Sequence, residues 1–576
     1  MTSIEQLGLE TVVNKQEFQS SVVIKDCPIV GRSLVAKKPL VPGDIVLVEE
    51  PLIQYDLEPK CRSNKSPYYS KKLWKILKDM VYAEEGIDTQ LNTQQPNKSD
   101  ESDESDESED DMETTVHSDF YPGVPAAIIA YSLIHPPPSY NNARRRKEYS
   151  QNDFDFFYFP NTDIEPAWLD HKTIKLIHTV TQKVVDTVPL YAHVDPFDLR
   201  SFVLKIYSNA HTVSLPRIRT APTHASRRSR REKYKTKFGD TTYWGEDAVE
   251  PPNTPTIALL RWGSKFAHSC SPNMFLRFEP QRNVMVFTVT KPLAEGDILS
   301  FSYLPEDDST VGGLVYGATP DRQAKLDKFK FFKCACERCL DWDWARGADC
   351  PDCQGTAYCQ GTWTCFACGS HNQPSFVGER EKQVENTVMG FVSRVYGGRM
   401  TQHTMRMLEP YLTDLLEQGV PKHHWLYAVI HSLLATYHLT LFPQSYGKGL
   451  ASQLGLTVKG LEESLVYLEF LDTIYAPKHP QATYTGNAMA AFFASWRTLS
   501  VVIDLVMTST EDKYAHSDSD EPVLIPLAQD WIQPVTRMSN IVDKEWIPLV
   551  KQVFRSHAVV QDMIKQIKAF SQRIHL

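Results

Sequence analysis

Eight of the chain's 11 cysteines fall between Cys334 and Cys368, and packing alone does not call for such crowding. Disulfides would account for them in a secreted protein. The first thirty residues, however, lack the apolar core of a secretory signal, and no run approaches the roughly eighteen apolar residues of a membrane span. The reading is a soluble intracellular protein, in cytoplasm or nucleus, where thiols stay reduced. Metal then accounts for the cysteines. "CPDC" and "CFAC" supply Cys350, Cys353, Cys365 and Cys368, two Cys-x2-Cys pairs that fill one tetrahedral zinc site. "CACERC" supplies Cys334, Cys336 and Cys339, so that site must borrow a fourth ligand from elsewhere. Cys359 is read as a spare, and Cys27 and Cys61 as buried thiols.

At 576 residues the chain exceeds one ordinary core and predicts two to four packing units. The net charge of -10 is local in origin, since nine acidic residues lie in "DESDESDESEDD", Asp100 to Asp111. The rest is close to neutral, so global charge says little about partners. Residues 21–57 read as short strands, with "VPGD" as a hairpin turn between two of them. "KKLWKILKDMVYAEEG" and "TIKLIHTVTQKVVDTV" carry helical spacing. Residues of about 89–118 cannot bury enough apolar surface to order themselves and read as a solubilising linker. The basic stretch "HASRRSRREKYKTKFGD" reads as a charged loop, which leaves nucleic acid a distant candidate. Alternation returns from Thr256 to Tyr303, and long amphipathic helices follow residue 380.

One motif stays unexplained by this texture. "FAHSCSPN", Phe266 to Asn273, puts a histidine and a cysteine where a turn needs only Pro and Asn. Together with "EGDILSFSY", ending at Tyr303, and "CACERC", it resembles the carboxyl half of a SET domain with its post-SET zinc motif. "GRSLVAKKPLVPGDIVLVEEPLI" resembles the amino-terminal half, and "KIYSNAHTV" the strand before the split. The arrangement is similar to the SET-and-MYND lysine methyltransferases, in their arthropod and fungal relatives. The MYND finger is missing, since only Cys61 remains in the insert.

The resemblance implies an α+β architecture: a β-rich SET fold with a pseudoknot, a zinc-bound post-SET region, and a C-terminal all-α, TPR-like helical domain. The expected units are residues 22–57 and 196–304 for the two SET halves, with a basic insert at about 215–250. Residues 58–195 form the insert between the halves, 305–370 the post-SET zinc region, and 380–576 the helical domain. The expected activity is S-adenosylmethionine-dependent protein-lysine N-methylation, on histone or non-histone substrates. The alternative is a SET-derived scaffold, weakly active or inactive, that binds peptides or chaperones through its helices. The cofactors implied are S-adenosylmethionine and two structural zinc ions, and the partner is a protein or peptide carrying a target lysine. No membrane partner is expected.

The resemblance also carries roles over residue by residue. Tyr303 matches the catalytic tyrosine that orients the amine. Arg32 and Ser33 match the glycine-rich turn near the methionine end of the cofactor, and Asn209 an asparagine reaching the same region. Ser264, Ala267 and His268 match residues flanking the cofactor, and Phe332 an aromatic that stacks on adenine. Cys270 matches the cysteine that completes the zinc site of Cys334, Cys336 and Cys339. Three positions depart from the family. Ala267 stands for an asparagine, Ser33 for a glycine, and Lys330 for a second tyrosine in many members.

Overall fold

The structure is a computed structural model that describes residues 8–28, 30–57, 70–87, 118–135, 154–213, 256–279, 282–304, 317–396, 402–441, 454–475, 477, 479–482, 488–508, 529–554 and 558–574. The acidic linker before residue 118, the basic stretch at 224–240 and Cys61 lie outside the described residues.

Small sheets dominate the first half. Strands β1 (Val22–Cys27) and β2 (Gly31–Ala36) form an antiparallel hairpin. Strand β3 (Ile45–Glu49) does not pair with β2. The hairpin expected at "VPGD" is therefore corrected to a turn alone. Gly43 does adopt a positive φ there, and the Asp44 carboxylate accepts from Val41 N–H at 2.9 Å. The turn instead hands β3 to β9 (Val284–Val289), whose other neighbour is β8 (Met274–Glu279). All six residues of β9 are buried, as a central strand covered on both faces requires. A third sheet orders β4 (Ile53–Asp56), β6 (Thr256–Leu259) and β5 (His211–Val213). Parallel β7 (Ala267–His268) and β10 (Ser300–Phe301) form a fourth.

Helices fill the interval between the halves. Helix α1 (Lys15–Ser21) precedes β1. Helix α2 (Lys71–Glu85) starts on a Ser70 cap and stops at left-handed Gly86. Helices α3 (Gly123–Ile134) and α4 (Lys172–Thr187) follow. Helix α5 (Pro196–Asn209) starts on an Asp195 cap with proline in its first turn. "KIYSNAHTV" is thus mostly helix, with a strand only from His211. In α5 every residue from Leu199 to Ile206 is buried, a pattern that does not distinguish a buried helix from a strand.

After β10, helix α6 (Thr319–Lys330) ends where Phe331 takes a left-handed φ of 64°. That reversal turns the chain towards Cys334. A three-stranded sheet of β11 (Ala348–Asp349), β12 (Thr356–Gln360) and β13 (Thr362–Cys365) comes next. From Glu379 onwards every described element is helical, including Glu379–Tyr396, Gln402–Glu417, Trp425–Thr436 and Leu454–Tyr475. Cys270, Cys334 and Cys339 share one continuous apolar core with these helices.

Candidate active site and metal centres

The two cysteine groups assemble as spacing suggested. Sulfurs of Cys270, Cys334, Cys336 and Cys339 all lie within 4.8 Å of one another, and so do those of Cys350, Cys353, Cys365 and Cys368. A tetrahedral zinc–thiolate centre has metal–sulfur bonds of about 2.3 Å, hence sulfur edges of about 3.8 Å. Cys339 and Cys270 are 3.6 Å apart, Cys350 and Cys368 3.7 Å, and Cys353 and Cys365 3.5 Å. Both quartets therefore fit zinc. The first is largely buried and the second half exposed. Cys359 joins neither, and Cys27 is half-buried at the end of β1 rather than in the core.

The first quartet is braced by donors. Backbone N–H groups of Cys270 and Cys336 point at the sulfurs of Cys336 and Cys334, at 3.3 and 3.4 Å. The guanidinium of Arg322, wholly buried on α6, lies 3.6 Å from the Cys339 sulfur. A four-thiolate zinc centre carries two net negative charges, and this buried cation offsets part of them. Arg322 lies in "TPDRQAKLDKFK", whose charged residues gave no sign that one of them would be buried.

His268 links this centre to Tyr303. Its Nδ1 accepts the Tyr303 backbone N–H at 3.0 Å, which leaves the proton on Nε2, 3.3 Å from the Cys270 sulfur. Burial pushes the imidazole down to about 4, so it stays neutral. Both ring nitrogens are engaged within the protein, and only its main chain and ring face remain for a ligand. The Tyr303 hydroxyl donates to the Phe266 carbonyl at 2.6 Å. Burial raises its phenol well above the usual range, so it is never phenolate near neutrality. Parallel pairing of Ala267 with Ser300 and His268 with Phe301 holds these residues side by side. Asn273 secures the loop, donating to Ile298 O and accepting from Ser300 N–H, both at 2.8 Å.

Around Tyr303 stand Phe332, His211 and Lys330. The Phe332 ring lies edge-on to Tyr303 at 6.2 Å and 5.9 Å from His268. Lys330 donates to Ala210 O at 2.9 Å, and its Nζ sits 5.7 Å from the Tyr303 ring centroid. The residue is half-buried, and burial lowers its ammonium to about 8. His211 is held to about 3 by burial and by Lys330 beside it.

The remaining candidates lie on neighbouring elements. Arg32 is exposed on β2, while Ser33 next to it is 2 % exposed. Ser264 sits in the helical turn Gly263–Lys265. The buried Glu49 carboxylate fixes that turn by accepting from Trp262 and Gly263 N–H at 3.0 and 2.8 Å. Ala267 N–H donates to Leu299 O. Asn209, closing α5, donates to the carbonyls of Tyr158 and Lys205 at 2.7 and 2.8 Å. Glu49 and Lys265 were not anticipated, although a lysine inside the largely apolar "IALLRWGSKF" was the available signal.

The SET domain family matches residues 31–304. A SET domain spans this part of the chain. It encloses β2 to β10, Tyr303 and Cys270, whereas the cysteines from Cys334 onwards, beyond α6, follow it. SET domains are in general protein-lysine methyltransferases. No curated protein matches the chain. Within the helices, no described segment is long and apolar enough to cross a membrane.

Proposed function

We propose that the chain is an S-adenosylmethionine-dependent protein-lysine N-methyltransferase, with Tyr303 as the residue that orients the acceptor amine. The observation that carries this reading is the fixed Tyr303 hydroxyl. Its proton is committed to Phe266 O at 2.6 Å, so its lone pairs face outward as acceptors for an amine N–H. S-adenosylmethionine would supply a methyl group on a sulfonium centre, for in-line displacement by a neutral amine.

The chain's own residues then have three tasks. Tyr303 aligns the nitrogen. The enclosed surroundings and the adjacent sulfonium disfavour an ammonium and so lower the lysine below its ordinary value of about 10.4. Arg32, Ser33, Asn209, Ser264 and the main chain of Ala267 and His268 line the donor side, with Phe332 for the adenine. Cys270 with Cys334, Cys336 and Cys339, and Cys350 with Cys353, Cys365 and Cys368, would hold two zinc ions. The first of these ties the Tyr303 loop to the segment after α6. The helical region is proposed as a surface for peptide or chaperone partners.

A second reading, a scaffold without catalysis, is favoured by Lys330, whose ammonium stands by Tyr303. Calorimetry with S-adenosylmethionine and S-adenosylhomocysteine, then methylation of a lysine-peptide array by the full chain, separates the two. Donor binding with methylated peptides supports the enzyme. Donor binding without transfer leaves the scaffold, and no binding at millimolar ligand removes the donor site altogether.

A further inference from the structure

The two cysteine quartets differ in what surrounds their sulfurs. In the first, Cys270, Cys334 and Cys339 are buried, the Arg322 guanidinium lies 3.6 Å from the Cys339 sulfur, and Lys291 adds a positive charge beside Cys336. In the second, Cys353 and Cys368 are exposed while Cys350 and Cys365 are buried. Its donors among the described residues are backbone N–H groups, from Gly355 to Cys353 at 3.4 Å and from Ala367 and Cys368 to Cys365. No cation among the described residues contacts these sulfurs, and Asp352 beside Cys353 is an anion. Zinc holds all its thiolates deprotonated. A cation nearby then no longer helps to form the thiolate and only withdraws electron density from it, which lowers its nucleophilicity. The exposed sulfurs of the second quartet are therefore the more open to an electrophilic oxygen.

We infer that the second quartet is an oxidation site for a hydroperoxide, where the chain gives up one zinc ion and keeps the other. The inference is independent of the methyltransferase reading and rests on the two-zinc reading above. The Cys353 thiolate attacks the peroxide: a sulfur–oxygen bond forms, the oxygen–oxygen bond breaks and hydroxide leaves. Cys365, its sulfur 3.5 Å away, attacks the sulfenic sulfur, forming the disulfide and expelling a second hydroxide. Cys368 and Cys350, 3.7 Å apart, repeat these steps with a second peroxide. Each thiolate pair loses two electrons to one peroxide, and with its four donors consumed the site no longer holds its ion. The change reaches the helices. Phe366, next to Cys365, stacks on His479 at 4.5 Å, and Trp344 meets the same imidazole at 5.4 Å. His479 lies between helices Leu454–Tyr475 and Ala488–Thr508.

The test treats the full, zinc-loaded chain with hydrogen peroxide. Released zinc is followed with a chromogenic chelator, and disulfides are mapped by fragmentation mass spectrometry. One of the two ions is expected to leave, with Cys353 joined to Cys365, Cys350 joined to Cys368, and faster hydrogen exchange over residues 479–482. Dithiothreitol with added zinc is expected to reverse all of these, and Cys359→Ser to respond as wild type does. Release of both ions together, or oxidation of Cys270, Cys334, Cys336 or Cys339 before the second quartet, overturns the site. So does retention of both ions under peroxide that oxidises Cys27 or Cys359. Zinc loss with unchanged exchange at residues 479–482 overturns the link to the helices. Metal analysis before oxidation tells the two readings apart, since a chain that binds fewer than two ions overturns the second centre itself and the oxidation site with it.

Discussion

Tyr303 has one hydrogen to give and gives it to Phe266 O. Its role follows from what is left, an oxygen that can accept but is not a base, since burial keeps the phenol protonated. Tyr303→Phe is expected to slow methyl transfer about 10- to 100-fold, the worth of one lost hydrogen bond near charge, while donor affinity in calorimetry stays put. Unchanged turnover would remove it from the mechanism. Lys330 makes an opposite prediction. It is protonated below about 8, and in that state it repels both an incoming ammonium and a sulfonium. The groups facing it, His211 and Tyr303, are uncharged there and do not mask it. Wild-type transfer should therefore rise with pH through about 8. Lys330→Met should be faster at pH 7 and lose that limb of the profile, read as initial rate between pH 6.5 and 9.5. The sequence exposed Tyr303, Cys270 and Lys330 by their places in ordered motifs. It hid Lys265 and Arg322, because a charged letter does not say whether its side chain is buried. That is decided by distant chain, Phe156 for one and Cys339 for the other.

Among elements, the segment Ala267–Cys270 is short but makes the contacts the site depends on. Its strand pairs with β10, its histidine reads the Tyr303 backbone, and its cysteine closes a quartet with sulfurs beyond α6. Cys270→Ser is expected to release one of two zinc ions, measured by metal analysis, and to abolish transfer, because the loss frees both the Tyr303 loop and the segment after α6. Full zinc content in that variant would refute a shared centre. Cys353→Ser should release the other ion and leave the first in place. The two Cys-x2-Cys pairs were legible, since their ligands lie close in sequence. Strand partners were not. β3 and β9 are separated by more than two hundred residues, and nothing local at "VPGD" says that Ile45–Glu49 turns away from β2. Asn209 was matched to a strand for a similar reason. The all-round burial of α5 erases the amphipathic stripe by which a helix is usually read.

At the scale of the molecule, the metal-binding region and the helices beyond it are fastened by a buried polar network. Arg346 meets Glu381 through two hydrogen bonds, at 2.6 and 2.5 Å, and His424 adds a third at 3.0 Å. Backbone bonds run alongside, Trp425 N–H to Ala345 O at 2.7 Å and Gly347 N–H to His423 O at 3.0 Å. His424 Nδ1 accepts from Leu426 N–H, so its Nε2 proton is the one Glu381 receives and the imidazole is neutral. Burial works against the Glu381 carboxylate, yet these donors hold it down to about 2. A folded value below the ordinary carboxylate range of about 4.3 means stability that is complete above that range and is lost as pH falls towards 2. Glu381→Gln removes the charge and leaves half-buried Arg346 with only Asp343 as a nearby anion, which costs roughly 1–3 kcal/mol. In urea unfolding at pH 7 the variant should be weaker than wild type by about that amount, and the gap should narrow as pH drops from 5 to 3. A constant gap over that range would place the loss in packing. If zinc content stays at two while the melting point falls, the network fastens the helices to a metal-binding region that keeps both ions by itself. If one ion leaves as well, the helices are part of what keeps the cysteine centres closed, and the proposed catalytic loop depends on the helical half.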